Sequence, residues 1–325
     1  MREKTIEKTL YYVTNVLICT ALLSILVITA ILPREIDLQI SIDIGDVRSW
    51  FGILFAIIGE IPSYIILPLA LAIVFRNLPW DNYKNKFFKV MSATFVFVTY
   101  FIWFKTSELF EILEKKSKVS GVQTLAISIV LAIVAGVLTL ILAIKLNKEF
   151  MFKLYKWALF ALVVVLVSFV LSRILKYTFS RPRFRNMPAN GSYGSFTPWW
   201  KPNGFEISKN LFKSDNTSFP SGHTISASNI LVFVVLFNIF PKLKKFKPIA
   251  YFISFSFILL TAISRIVNLA HFLSDVTFAA LLGYAIFACF NIVFFYKKPY
   301  VYELQQCGTP VVQDVELVEM VTDDK

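Results

Sequence analysis

The two histidines of this sequence, His223 and His271, are the side chains best suited to proton and phosphoryl chemistry at neutral pH. His223 ends the segment Phe219-Pro220-Ser221-Gly222-His223, directly before an apolar run. Pro and Ser are common where helices begin, and helix N-termini bind anions through their backbone amides. The segment therefore predicts an oxyanion site at the amides of Ser221 and Gly222, with His223 as the proton donor. Ordinary helix capping is the alternative interpretation.

His271 stands in the pattern Ser264-Arg265-x5-His271-x3-Asp275. On a helix, His271 and Asp275 share a face, so Asp275 can accept a hydrogen bond from one imidazole nitrogen. The other nitrogen is then available as a nucleophile. A His–Asp pair that merely joins two helices is the structural alternative.

A third group of basic residues, Lys176, Arg181, Arg183 and Arg185, ends another apolar run. Basic side chains at helix ends often extend toward lipid head groups, which is the simpler explanation. The order of apolar runs, however, puts all three groups on one side of a membrane. Cations, amides, two imidazoles and a carboxylate on a common face favour phosphate transfer.

The composition excludes a water-soluble protein. Of the 325 residues, 57% are hydrophobic and 17% charged, and the mean hydropathy is +0.66. The net charge is +12, but Lys and Arg lie between apolar runs, as expected for a membrane protein and not for a nucleic-acid binder. Three cysteines are too few for a disulfide framework.

Apolar stretches that can span the bilayer predict an all-α fold, a polytopic transmembrane helix bundle with about eight spans. They lie near 11–32, 51–75, 88–104, 123–144, 157–175, 224–240, 249–264 and 276–296. Glu60 falls within the second span, where a carboxylate should face protein or water. A Glu bonded to a neighbouring helix is the more ordinary interpretation of Glu60, and a catalytic one the alternative.

The short loop Pro241–Pro248 decides the orientation, because it has four lysines and no acidic residue, while basic residues elsewhere are almost evenly divided. With this loop in the cytoplasm, the face that carries both histidines is extracytoplasmic. The sequence thus predicts an integral protein of the cell (plasma) membrane with an extracytoplasmic catalytic face.

Three patterns in this sequence resemble, in order, the three signatures of the type 2 phosphatidic-acid phosphatase superfamily. They are Lys-x6-Arg, Pro-Ser-Gly-His and Ser-Arg-x5-His-x3-Asp. This superfamily comprises integral-membrane lipid phosphatases and soluble vanadium haloperoxidases. One departure is that the first signature usually ends in Arg-Pro, and here Phe184 follows Arg183. The family usually has a six-helix core, so either the two N-terminal helices are an addition to it or the count of about eight spans is too high.

The resemblance implies a role for each matching residue. His271 would attack phosphorus, Asp275 would orient it, and His223 would protonate the leaving group and then activate water. The phosphate oxygens would be held by substrate-binding residues: Lys176, Arg183, Ser221, Gly222 and Arg265. Arg181 would be neutral or supporting. No metal and no other cofactor is implied.

The predicted organisation has three parts: N-terminal transmembrane helices at 1–156, a catalytic phosphatase core at 157–298, and an acidic, disordered tail at 299–325. The expected partners are a lipid phosphate or diphosphate substrate and membrane lipids, without nucleic acid; no oligomeric state follows. The substrate stays open among phosphatidic acid, phosphatidylglycerophosphate, undecaprenyl diphosphate and lipid A. A lipid phosphotransferase, a sugar-phosphate phosphatase, and a transporter or lipid-binding protein with a degenerate site are the alternatives.

The long connection 185–219 is rich in aromatic residues, including Tyr193, Phe196, Trp199 and Trp200. Such rings favour the membrane–water interface, where they could guide a lipid laterally to the site. A loop held down by packing among its own aromatics is an equally open interpretation.

Overall fold

The computed structural model describes residues 2–107, 120–187, 193–203 and 216–296, and no strand occurs in those ranges. The helices of the N-terminal half are α1 (Arg2–Ile31), α2 (Gln39–Ile44), α3 (Trp50–Ile58), α4 (Ile61–Asn77), α5 (Tyr83–Thr106), α6 (Gly121–Lys145) and α7 (Lys148–Lys153). Those of the C-terminal half are α8 (Tyr155–Phe179), α9 (Gly222–Ser228), α10 (Leu236–Ile239), α11 (Lys247–Val267) and α12 (Leu273–Asn291).

Short turns of other helix types join these elements. They are two π-helical segments, Pro33–Leu38 and Ile292–Tyr296, and three 3₁₀ segments, Phe184–Asn186, Asn229–Val235 and Pro241–Phe246. The predicted acidic tail, 299–325, lies outside the described residues.

Eight helical segments of the described chain are long and apolar enough to cross a membrane. They are Val13–Ile31, Trp50–Asn77, Tyr83–Thr106, Gly121–Lys145, Tyr155–Asn186, Gly222–Ile239, Pro241–Val267 and Leu273–Phe295. The predicted all-α polytopic bundle with about eight spans is therefore confirmed.

Helix α8 lies at the centre of the bundle. One face buries Trp157, Phe160 and Val164 against α4, α12 and the Asn229–Val235 segment. The Trp157 indole donates from Nε1 to the Val232 carbonyl at 2.9 Å, so its polar atom is satisfied inside the core. This packing fixes the depth of α8 and hence the position of the basic residues at its end.

The second span is broken where α3 ends and α4 begins. Pro62 lies in the first turn of α4 and has no N–H to continue the hydrogen bonds of α3. At Gly59 an added Cβ would lie 2.7 Å from Thr261 Cγ2, so the turn presses directly on α11. The break places Glu60 at the N-terminal end of α4.

Helix direction brings four ends together. The C-terminal ends of α8 and α11 and the N-terminal ends of α9 and α12 lie at one end of the bundle. The basic segment Pro241–Phe246 lies at the opposite end, where Phe240 stacks on Phe150 with the ring centroids 5.7 Å apart. All three predicted clusters therefore share one end.

Candidate active site

The loop before α9 joins the three clusters. Lys176 at the end of α8 donates from Nζ to the carbonyls of Thr217, at 2.8 Å, and Pro220, at 2.7 Å. Arg183 donates from Nη2 to Thr217 Oγ1 at 3.2 Å. The Ser221 amide donates to the Asp275 carbonyl at 3.2 Å. Hydrogen bonds thus tie the first signature to the second, and the second to the third.

The imidazole of His271 has a defined tautomer. Its Nδ1 lies 2.6 Å from the Ser218 carbonyl oxygen, which can only accept, so Nδ1 carries the proton. The Nε2 atom therefore keeps its lone pair. Burial lowers the pKa of His271 to about 3, although the negative charge of Asp275 opposes the shift. At neutral pH the group is a neutral imidazole, the form in which a nucleophile is needed.

The predicted contact between His271 and Asp275 is present, but it is longer than a hydrogen bond. Asp275 Oδ2 lies 3.7 Å from His271 Nδ1, too far for a hydrogen bond. The prediction assumed that both residues lie on one helix, but α12 begins at Leu273 and His271 precedes it in a turn. Asp275 acts on the imidazole through its charge and through Ser218, whose hydroxyl donates to Asp275 Oδ2 at 2.5 Å.

That turn is held by the backbone of Arg265, whose carbonyl accepts from the amides of Ala270, at 3.1 Å, and His271, at 3.2 Å. Leu269 within it has a left-handed φ of 53°, which is uncommon for a branched side chain. Gly45 fits against Leu269, because an added Cβ would lie 2.2 Å from Leu269 Cδ2. The N-terminal part of the chain thus helps to shape the turn that carries His271.

Arg181 organises the carboxylates behind the site. Its side chain is only 1% exposed and donates from Nη1 to Asp275 Oδ1 at 2.5 Å and from Nη2 to Asp37 Oδ2 at 2.8 Å. Its Nε donates to the Thr197 carbonyl at 2.9 Å, and its guanidinium carbon lies 4.2 Å from the centre of the Phe272 ring. These contacts give Arg181 a supporting role, one of the two that the sequence left open.

Asp37 is the residue of this cluster that sequence reasoning missed. It is fully buried, and its carboxylate accepts from the Ser274 amide at 2.8 Å and the Ser274 hydroxyl at 2.6 Å. Burial raises the pKa of Asp37, and the adjacent Arg181 opposes the shift. Because Ser274 lies in the first turn of α12, Asp37 stabilises the N-terminus of the helix that carries Asp275.

The start of α9 only partly fits the predicted anion site. Ser221 caps the helix, since its hydroxyl oxygen accepts from the Thr224 amide at 3.4 Å. The prediction that the Ser221 amide serves as an anion donor is wrong, because that amide donates to Asp275 within the protein. Two donors to an anion remain at this helix start. They are the amide of Gly222, the first residue of the helix, and the hydroxyl of Ser221.

His223 lies near an acidic residue of another span. Its Nε2 is 3.4 Å from Glu60 Oε1, with 12% of the His223 and 22% of the Glu60 side chain exposed. The Glu60 carboxylate thus reaches a residue of α9, as the ordinary interpretation of a membrane Glu expects. The residue that it reaches, however, is the predicted proton donor.

The site is strongly cationic. Lys176, Arg183 and Arg265 lie at the same end of the bundle as His223, and the side chain of Arg265 is buried. Within the described ranges, no group of three or more His, Cys, Asp and Glu side chains is arranged to hold a metal ion. The arrangement can bind an oxyanion, present a neutral imidazole to it and supply a second imidazole for proton transfer.

Most aromatics of the described part of the 185–219 connection pack onto the protein. Phe196 is buried against Phe272, Tyr193 stacks on Phe184, and Trp199 stacks on Phe219 with the centroids 6.0 Å apart. Trp200 differs, with 43% of its surface exposed. The structure favours aromatic packing over an interfacial guide for all of these residues except Trp200.

The Asp37 contacts generate a prediction about stability. Asp37→Ala removes the acceptor of the Ser274 amide and one partner of Arg181, leaving buried donors unsatisfied. We expect the free energy of unfolding to fall by about 3 kcal/mol, measured as a lower Tm of the detergent-solubilised protein. Asp43→Ala, at an exposed position nearby, is the matched control and should change little. Equal Tm values for the two variants would contradict the role of Asp37.

One comparison with known proteins gives a match, and it covers the C-terminal part of the chain. Residues 157–299 match the model of the PAP2 superfamily, whose name denotes the type 2 phosphatidic acid phosphatases. Neither the curated proteins nor the solved structures give a match to this chain. The matched segment contains all three signatures and both histidines, while Asp37 and Glu60 lie outside it. Residues 157–299, which carry both histidines of the candidate site, are thus similar to the PAP2 superfamily, a family of phosphatases.

Proposed function

We propose that this protein removes phosphate from a lipid phosphate or diphosphate, without a metal, through a phosphohistidine at His271. The observation that carries the proposal is the 2.6 Å contact between His271 Nδ1 and the Ser218 carbonyl oxygen. The hydrogen bond from Nδ1 to the Ser218 carbonyl leaves the lone pair of Nε2 for attack on phosphorus. The match of residues 157–299 to the PAP2 superfamily supports phosphatase activity, and the cationic residues at this end of the bundle fit a phosphate substrate.

In the first step, His271 Nε2 forms a bond to phosphorus while the bond from phosphorus to the leaving oxygen breaks. His223, as an imidazolium, donates its proton to that oxygen. Lys176, Arg183 and Arg265 balance the charge that builds on the phosphate oxygens, aided by the Gly222 amide and the Ser221 hydroxyl. Asp275 balances the positive charge that develops on the His271 ring.

In the second step, water attacks the phosphohistidine and the bond between phosphorus and Nε2 breaks. The neutral His223 takes a proton from the attacking water, which restores the imidazolium for the next cycle. Phosphate leaves, and His271 returns to the neutral tautomer fixed by Ser218. In this scheme the protein cations do what a metal ion does in other phosphoryl-transfer enzymes.

The position of the site supports a lipid substrate. The reacting groups lie at the ends of membrane-spanning helices, so a phosphate head group could reach them while its acyl chains stay in the bilayer. Trp200 is exposed in the connection beside the site, where an aromatic ring suits the interface.

Hydrolysis of purified substrates tests the proposed reaction. With EDTA present, the detergent-solubilised protein should release phosphate from at least one of phosphatidic acid, phosphatidylglycerophosphate and undecaprenyl diphosphate. His271→Gln should lower kcat by at least about a thousandfold, because the covalent step is lost. Asp43→Asn, exposed and far from the reacting groups in sequence, should behave as the wild type.

Different results would point elsewhere. Near-normal turnover by His271→Gln would contradict the phosphohistidine. Loss of activity in EDTA with recovery in Mg²⁺ would contradict metal independence. Release from a sugar phosphate alone would replace the lipid substrate, and transfer of phosphate to an added alcohol would identify a phosphotransferase.

We further propose that the protein lies in the plasma membrane with its catalytic face outside the cytoplasm. The support is the basic segment Pro241–Phe246, which has three lysines in six residues and lies at the end of the bundle opposite the histidines. Short loops rich in lysine are retained in the cytoplasm during insertion.

Cysteine labelling in intact cells tests this orientation. In a protein lacking Cys19, Cys289 and Cys307, Lys201→Cys lies on the catalytic side and Lys242→Cys on the opposite side; both positions are exposed. A membrane-impermeant thiol reagent should label Lys201→Cys, and should reach Lys242→Cys only after permeabilisation. The reverse pattern would contradict the proposed topology.

A further inference from the structure

Glu60 is held in place from both sides of the break in the second span. Its backbone carbonyl accepts from the Ser226 hydroxyl on α9 at 3.0 Å, and the same hydroxyl lies 2.7 Å from Ser63 Oγ on α4. Asn229 donates to Ser63 at 2.9 Å. A chain of polar contacts thus fixes the start of α4 against α9, and with it the position of the Glu60 carboxylate.

A carboxylate within a membrane span is energetically costly unless a partner or water compensates for its charge. The side chain of Glu60 is 22% exposed, and its Oε1 lies 3.4 Å from His223 Nε2. The pair is formed between two different spans and is close to the site. The observed contact therefore joins Glu60, whose charge is unfavourable within a membrane span, to the imidazole proposed as the proton donor.

The surroundings of His223 make this carboxylate chemically important. Lys176, Arg183 and Arg265 bring positive charge to the end of the bundle at which His223 lies. These groups oppose an imidazolium, the form that a general acid requires. Asp275 is already engaged by Arg181 and Ser218.

We propose that Glu60 is a positioning residue for proton transfer, and that its carboxylate stabilises and orients the His223 imidazolium before the leaving group departs. This role rests on the proposed function. In the first step the imidazolium gives one proton to the leaving oxygen and becomes neutral beside Glu60. In the second step the neutral His223 takes one proton from water, and its ion pair with Glu60 forms again.

Substrates with different leaving groups separate this role from a structural one. An alkyl phosphate needs a general acid because an alkoxide is a poor leaving group, whereas p-nitrophenolate leaves without one. For Glu60→Gln, we expect kcat/KM for a short-chain alkyl phosphate to fall by about a hundredfold. For p-nitrophenyl phosphate, kcat/KM of the same variant should stay within about threefold of the wild-type value, because attack by His271 is unchanged.

Two further variants complete the experiment. Glu60→Asp keeps the charge and should recover part of the loss on the alkyl phosphate. Glu149→Gln makes the same substitution at an exposed position on α7 and should leave both substrates unaffected. Tm measurements on all variants show whether each is folded.

The outcomes distinguish this inference from the proposed function. Suppose that the wild-type protein is active. If Glu60→Gln then lowers kcat/KM equally for both substrates, or for neither, the role of Glu60 alone is overturned. A folded wild-type protein that releases phosphate from none of the lipid substrates and from neither of these two phosphates would contradict the proposed function, and the role of Glu60 would fail with it.

Discussion

The buried ion cluster of Arg181 with Asp37 and Asp275 is the interaction on which the site depends. Removing a charged group from water costs several kcal/mol, and this cost is recovered only with close, well-directed partners. Arg181 meets that condition with contacts of 2.5 Å and 2.8 Å to the two carboxylates. Asp275 also accepts from the Ser218 hydroxyl, and the Ser218 carbonyl accepts from His271. The position of Arg181 therefore affects the position of the His271 imidazole.

The distribution of charge explains why the N-terminal helices belong to the site. A surface of lysine and arginine suits a phosphate substrate but disfavours a protonated imidazole. The PAP2 segment, residues 157–299, contributes the cations and Asp275. Asp37 and Glu60 come from the preceding part of the chain and contact Arg181 and His223, respectively. The N-terminal part of the chain thus supplies negative charge where residues 157–299 have an excess of positive charge.

The sequence predicted the helical bundle, the span count and the common location of the three motifs, because hydrophobic runs and motif spacing are local features. It could not predict the partner of His271, since that depended on whether α12 begins before or after this residue. Helix boundaries are weakly encoded, and here α12 begins at Leu273. Asp37 was also missed, because its contact with Arg181 joins residues 144 positions apart, and no local pattern distinguishes it from other acidic residues between spans.

Locating the phosphate on the protein after reaction with substrate tests most directly whether His271 is the nucleophile. His223→Ala should slow hydrolysis of the intermediate, so ³²P-labelled p-nitrophenyl phosphate and an alkaline quench should trap the phosphoprotein, and peptide mapping can then locate the phosphate. We expect phosphate on His271 at Nε2, because Nδ1 donates to the Ser218 carbonyl. Phosphate on Nδ1, or on a residue other than His271, would contradict it.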